Sequence, residues 1–179
     1  GGNTSEANIQ EVDAGTYHFI TSLTITHHLD LLRIPLSRFQ QFSQSRLQGV
    51  VAYRTTKVVW GRERAIVITR SDKLLQGQLA GIATALHKKR KKLYELRGKL
   101  RRSQQPGARG KGYTRESLQK HLQEITSGQY ISEILKTEIL TGSDNRLDFR
   151  FRLDQSSFEK LKRTRLGKRI LCTDNDSWS

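Results

Sequence analysis

Lys88-Lys-Arg-Lys-Lys92 sets five cations in succession, the densest concentration of one chemistry in the chain. Successive helical residues are turned by about 100°, so such a run shows charge on every side of a helix. Contact with a polyanion is the chemistry open to these side chains, because each ammonium or guanidinium set against a phosphate releases a condensed counterion. Arg101 and Arg102 extend the basic tract, and Arg54, Lys57, Arg62 and Arg64 decorate a second stretch that carries Tyr53 and Trp60. The candidate nucleic-acid contacts are therefore Arg54, Lys57, Arg62, Arg64, Lys88, Lys89, Arg90, Lys91, Lys92, Arg101 and Arg102. The plain alternative is a charged outer helix face that serves solubility alone.

Other reactive types are sparse. His27 and His28 are neighbours and point apart in helix or strand, so His-His-x-Asp30 reads as a solvated turn more readily than as a metal site. The glycines from Pro106 to Gly112 do not follow a phosphate-loop pattern and read as a flexible tip, where Arg109 and Lys111 could touch a phosphate. Asp174 ends a predicted strand, a common place for an active-site carboxylate; a turn-initiating Asp-Asn pair accounts for it more readily. Cys172 is the sole cysteine, which excludes an intrachain disulfide and a cysteine-based zinc site and fits a reducing cytoplasm. No catalytic residue and no metal ligand is assigned.

The totals agree with a polyanion partner. In 179 residues the net charge is +15, with 35% apolar and 7% aromatic residues, enough for a thin core. No run of 18 apolar residues exists and the N-terminus is polar, so neither a spanning helix nor a signal peptide is read. A membrane surface is the weaker partner, since the basic helix lacks a broad aromatic face. The chain contains no methionine; Gly1-Gly-Asn-Thr and Asn175-Asp-Ser-Trp-Ser179 are both read as cut ends of a longer polypeptide.

The basic run needs a scaffold, and leucines supply it. Leu75, Leu79, Ile82, Leu86, Leu93, Leu96 and Leu100 recur at steps of three, four and seven, predicting a helix from Asp72 to Arg102, roughly 45 Å long. Ser71 or Asp72 can cap its start. Ser103–Gly112 breaks it, and Thr114–Ile125, with Leu118, Leu122 and Ile125 on one face, predicts a returning helix and hence an αα-hairpin with a cationic outer surface. Before it, residues 5–12 read as a short helix, Thr16–Leu23 as a strand, and Val50–Trp60 with Ala65–Arg70 as a β-hairpin around Gly61–Arg64. After it, a strand late in Tyr130–Leu140 pairs with Arg146–Asp154, where Leu147, Phe149, Phe151 and Leu153 alternate with charges. A helix from Gln155 to Leu166 turns Phe158, Leu161 and Leu166 inward and stops at Gly167; Arg169–Asp174 is a last strand. The class is α+β, mostly antiparallel.

Several stretches together resemble the DDE transposases of bacterial insertion sequences. They are Gly2-Asn-Thr-Ser-x-x-Asn8, Tyr17-His-Phe-Ile-Thr-Ser-Leu23, His28-Leu-Asp-Leu-Leu-x-Ile-Pro35, Ala52-Tyr-Arg-Thr-x-Lys57, Trp60-Gly-x-Glu-Arg64, Leu75-x-x-Gln78-Leu79, and Gly167-Lys-Arg-Ile-Leu-x-Thr-Asp-Asn175 with Trp178-Ser179. The resemblance implies a partial RNase H-like core interrupted by an insertion of antiparallel β-hairpins and a long basic αα-hairpin. Residues 1–49 would be core and the way into the insertion, 50–166 the insertion (β-hairpin 50–70, helical hairpin 72–126, second β-hairpin 135–154, short helix 155–166), and 167–179 a returning core strand. The family holds two Mg²⁺ ions with three carboxylates for in-line phosphodiester exchange. None of the three matches a residue here: the second would precede Gly1, and the glutamate of the family's tyrosine-arginine-glutamate-lysine helix would follow Ser179. Asp174 is not one of them. The implied role is DNA contact and scaffolding in cut-and-paste transposition at transposon ends, in a bacterial, nucleoid-associated setting, with homodimerisation of the full-length protein and no Mg²⁺ bound by this stretch alone. A stand-alone basic nucleic-acid-binding or coiled-coil module, dimerising through the leucine seam, is the competing reading.

Overall fold

The computed structural model describes residues 6–110 and 112–175. The expected turn at Gly1, Lys111 at the hairpin tip and the pair Trp178-Ser179 lie outside them. In chain order the elements are α1 (Glu6–Ala14), β1 (Ile20–Leu23), single 3₁₀ turns at Ile25–His27, Leu31–Arg33 and Leu36–Arg38, β2 (Gln40–Gln41), and a further 3₁₀ turn at Ser45–Leu47. There follow β3 (Val50–Val59), β4 (Arg62–Ser71), α2 (Asp72–Ser103), α3 (Arg115–Thr126), α4 (Ile131–Ile134), β5 (Leu135–Thr141), β6 (Leu147–Leu153), α5 (Gln155–Thr164) and β7 (Lys168–Thr173). The chain is α+β, with every strand pairing antiparallel. No helix among the described residues is long and apolar enough to cross a membrane.

Two compact units divide it: Gly1–Gly77 with Thr164–Ser179, and Gln78–Arg163. These limits differ from the divisions read at 50 and 166. The β3–β4 hairpin belongs to the first unit because β4 pairs along its length with β7, from Ala65 opposite Thr173 to Arg70 opposite Lys168.

In the first unit the strands run in the order β1-β7-β4-β3-β2. Ile66 and Ile68 on β4 and Ile170 and Cys172 on β7 sit at alternate positions, so all four face one side of the sheet, and all are buried. Leu31 and Leu32 from the 3₁₀ turns join this cluster, with Phe19, Phe39, Tyr53 and Trp60 packed at its margin. Each buried isoleucine or leucine contributes about 1.5–3 kcal/mol. The hairpin turn is tighter than its sequence predicts. Trp60 and Gly61 both have positive φ, 51° and 74°, the geometry of a two-residue turn whose twist matches the strands. Arg62, Glu63 and Arg64 are thus strand residues, opposite Val59, Val58 and Lys57.

Gly167 closes this unit, and no other residue fits its place. Its φ is +76°, its carbonyl accepts from the Ser71 amide at 2.8 Å, and a Cβ would fall 2.9 Å from the Leu75 Cβ. Gly167→Ala is expected to destabilise the first unit by about 1–3 kcal/mol, read as a lowered urea midpoint at unchanged slope.

The second unit is built on α2. Ser71 caps that helix, its Oγ accepting from the Leu74 amide at 3.3 Å. Ile82, Leu93, Leu96 and Leu100 are buried with Leu118 and Leu122 of α3, Ile131, Ile134 and Leu135, Phe149 of β6 and Leu161 of α5. The seam from Leu93 to Leu100 is therefore closed inside the unit, with Leu79 and Leu86 half-buried and Leu75 buried in the first unit beside Gly167. A reciprocal capping box starts α3: Thr114 Oγ1 accepts from the Ser117 amide at 3.1 Å while Ser117 Oγ accepts from the Thr114 amide at 2.9 Å. Just past α2, the Gln104 side-chain amide accepts from the Leu147 amide at 2.7 Å and donates to its carbonyl at 2.9 Å, satisfying the start of β6 as a neighbouring strand would. Asp154 begins α5; the Ser156 and Ser157 hydroxyls donate to it and hold its carboxyl down to about 2.

Candidate nucleic-acid interface

Burying Ile82, Leu93, Leu96 and Leu100 fixes what α2 shows to solvent. On a helix with 3.6 residues per turn, Lys91 and Arg102 lie opposite the seam, with Lys88, Lys99 and Lys92 following round one flank. All five are exposed. Lys88 and Arg102 are separated along the axis by about 21 Å, at 1.5 Å per residue. Among the described residues no carboxylate pairs with Lys88, Lys91 or Lys92 within 4.0 Å; Glu95 is the lone acid set among them in the sequence. Cations this exposed keep their hydration and counterions until a phosphate replaces them, which is the state from which counterion release drives binding.

The run does encircle the helix, and its members have different fates. Lys89 is half-buried, and Arg90 faces a groove on the flank of α2. Arg101 is exposed, 3.8 Å from Asp148. Four further groove residues escape the reading of the sequence: Tyr94, Arg97, Arg150 and Arg152. A signal is present, because Tyr94 follows Arg90 by one helical turn and Arg150-Phe-Arg152 brackets an aromatic ring with two arginines inside a strand. Taken by itself, the alternation of that strand points to a solvated charged side.

No family model, curated protein or solved structure matches this chain. Assignment of the interface therefore rests on its own geometry.

The candidates of the first unit fare less uniformly. Arg54 and Arg62 are exposed, with Arg62 Nε 3.8 Å from the Asp13 carboxylate. Lys57 Nζ donates to Asp30 at 2.6 Å, and that contact holds the Asp30 carboxyl below its ordinary value. It also removes Asp30 from any His-His-x-Asp site. Burial pushes His28 down, and among the described residues no three histidine, cysteine or acidic side chains gather as metal ligands.

Arg64 has to be withdrawn as a phosphate contact. It is 3% exposed, its guanidinium donates to both Asp13 oxygens at 2.9 and 2.5 Å, and it lies over the Phe19 ring at 5.1 Å. Arg64 precedes Ile66 and Ile68 at alternate positions of β4 and so shares their buried face, where a buried carboxylate meets it, while Arg62 on the same face lies exposed beside the turn. Asp174 is likewise engaged: it accepts from the Phe19 amide at 2.9 Å and faces His18 Nδ1 at 3.0 Å, fastening the start of β1 to the end of β7.

Proposed function

We propose that this chain is a stretch of a DDE transposase of a bacterial insertion sequence, which contributes duplex-DNA contact and scaffolding to transposition and does no cutting itself. The sequence runs from Gly2 to Ser179 carry the family reading. The observation that carries DNA contact is the exposed lysine face of α2, opposite a seam already filled by its own unit. A seam satisfied internally supports this reading over a coiled-coil module, which would leave the leucines for a partner.

The Mg²⁺ chemistry of the family does not fit the donors present. Asp13 and Asp174 are the carboxylates that share a cavity in the first unit with Glu63. Arg64 occupies both oxygens of Asp13, and the Phe19 amide and His18 occupy those of Asp174. Carboxylates already committed to fixed cationic and amide donors do not form the open oxygen cage a hard cation needs. No step is assigned through a metal here.

The test is a titration of labelled duplex DNA by fluorescence anisotropy across a salt series. Five phosphate contacts from Lys88, Lys91, Lys92, Lys99 and Arg102 give a slope of log K on log salt of about −4.5, at about −0.9 per phosphate. A salt-independent affinity defeats the reading of α2. Site-specific nicking of end-sequence DNA in Mg²⁺ defeats the scaffold-only role.

A further inference from the structure

The flank of α2 in the second unit holds a feature that phosphate contact does not explain. A cavity of about 560 Å³ runs between α2 and β6. Tyr94 stands in it 54% exposed, edge-on to Phe151 at 5.3 Å between ring centroids. Arg90, Arg150 and Arg152 rim it, with Arg150 and Arg152 exposed and Arg90 exposed at its outer face. Below the rim, Arg97 lies over Phe149 and Phe151 at 5.0 and 5.3 Å and donates to the Phe149 carbonyl at 2.5 Å, which fixes the rings in place. Arg150 is paired with Glu138 at 2.6 Å, but both are more than half exposed, so an incoming phosphate can take over the arginine at little cost.

An aromatic ring half open to water inside a ring of arginines suits a ligand with a flat apolar face and a negative charge together. A nucleotide has both. A volume of this order is in the range that encloses a small organic ligand. Duplex DNA cannot use it, because paired bases already spend their faces on stacking; an unpaired base offers its face to tyrosine. The groove also lies on the other flank of α2 from Lys88 and Lys92, since Arg90 and Tyr94 sit about a third of a helical turn or more from both, with Lys91 between the two flanks. We propose that this groove is a second nucleic-acid subsite that takes one unpaired nucleotide, its base against Tyr94 and Phe151 and its phosphate among Arg90, Arg150 and Arg152. The inference deepens the DNA-contact reading of α2 and rests on it.

The experiment compares three labelled probes on the full chain: a blunt duplex, the same duplex with a three-nucleotide overhang, and a short oligothymidylate. One stacked base gives the overhang duplex an advantage of about 5- to 150-fold over the blunt one. Tyr94→Ala removes that advantage and leaves blunt-duplex affinity within about twofold of wild type, while Tyr94→Phe keeps it. Thymidine monophosphate that displaces the overhang at millimolar concentration supports a site for the nucleotide itself, and displacement by oligothymidylate alone supports one for an unpaired residue within a strand. Inorganic phosphate or polyglutamate as effective as oligothymidylate at equal charge overturns the proposal, as does an overhang advantage untouched by Tyr94→Ala. The two readings fail separately: no binding to any duplex defeats the lysine face, whereas blunt binding with no overhang advantage defeats the groove alone.

Discussion

Asp13→Ala is expected to destabilise the first unit by about 3–5 kcal/mol, the cost of leaving a buried charge without its partner. The Arg64 side chain is 2% exposed and that of Asp13 7%, so water cannot replace the missing carboxylate. The location of Asp13 argues the same way. It sits in the last turn of α1, where the helix dipole disfavours an acid, and the Arg64 pair offsets that placement. Arg64→Met with Asp13→Leu removes both charges together and is expected to recover most of the stability, because two apolar side chains of similar volume need no partners. The pH dependence follows from the same pair. The hydrogen bonds from Arg64 hold the Asp13 carboxyl below its ordinary value, against the opposing effect of burial. A carboxyl depressed in the folded state stabilises fully above its unfolded pKa of about 3.9 and loses that contribution as pH falls through the folded value. Wild type therefore weakens below about pH 4, and Asp13→Ala lacks that part of the decline. Urea unfolding followed through Trp60, in a Trp178→Phe background, measures both effects in the first unit. Equal midpoints for wild type and Asp13→Ala at pH 7 would refute the buried-pair account.

The leucine seam, the capped helix starts and the Gly167 stop are legible in the sequence because each is set by neighbours within a few turns of chain. Spacing at three, four and seven fixes which face of α2 is buried without reference to anything distant. The Arg64–Asp13 pair is not legible, since the partners are separated by 51 residues and only the placement of α1 beside β4 joins them. Arg64 resembles a loop cation as long as the turn is taken to span Gly61–Arg64, and the tighter turn shifts it into the strand and inward. Lys168 shows the same limit. Its type predicts a surface position, yet it is 3% exposed and its Nζ donates to the Leu32 carbonyl at 3.1 Å, a contact across 136 residues. The limits of the compact units differ from those read in the sequence for a related reason. Local pattern identifies the β3–β4 hairpin, but its membership of a sheet depends on β7, which arrives only after the whole second unit. In the candidate site, charge is legible and the aromatic floor is not: a tyrosine after a basic run carries no mark of whether its ring is covered until β6 is laid beside it.

Lys88→Gln, Lys91→Gln and Lys92→Gln combined should lower affinity for blunt duplex DNA by about two orders of magnitude at 0.15 M salt. Each lysine taken off a phosphate cancels the release of about 0.9 of a counterion, worth roughly fivefold at that ionic strength relative to 1 M. The slope of log K on log salt should become shallower by about 3, one per lysine. Folding should be nearly unchanged, because the three side chains are exposed, form no ion pair among the described residues, and glutamine has almost the helix propensity of lysine. The position of the charges within the helix separates a specific face from bulk positive charge. Arg146→Gln, Lys160→Gln and Lys162→Gln remove the same net charge from exposed sites off α2, and a chain that binds through the lysine face keeps nearly all its affinity after that change. Equal decreases from the two triple variants would mean that the net charge of +15 attracts DNA diffusely and that α2 provides no surface of its own. A large decrease from the α2 set with its full change in slope places the phosphates on the ridge from Lys88 to Arg102, since only groups in contact contribute to the count of ions released.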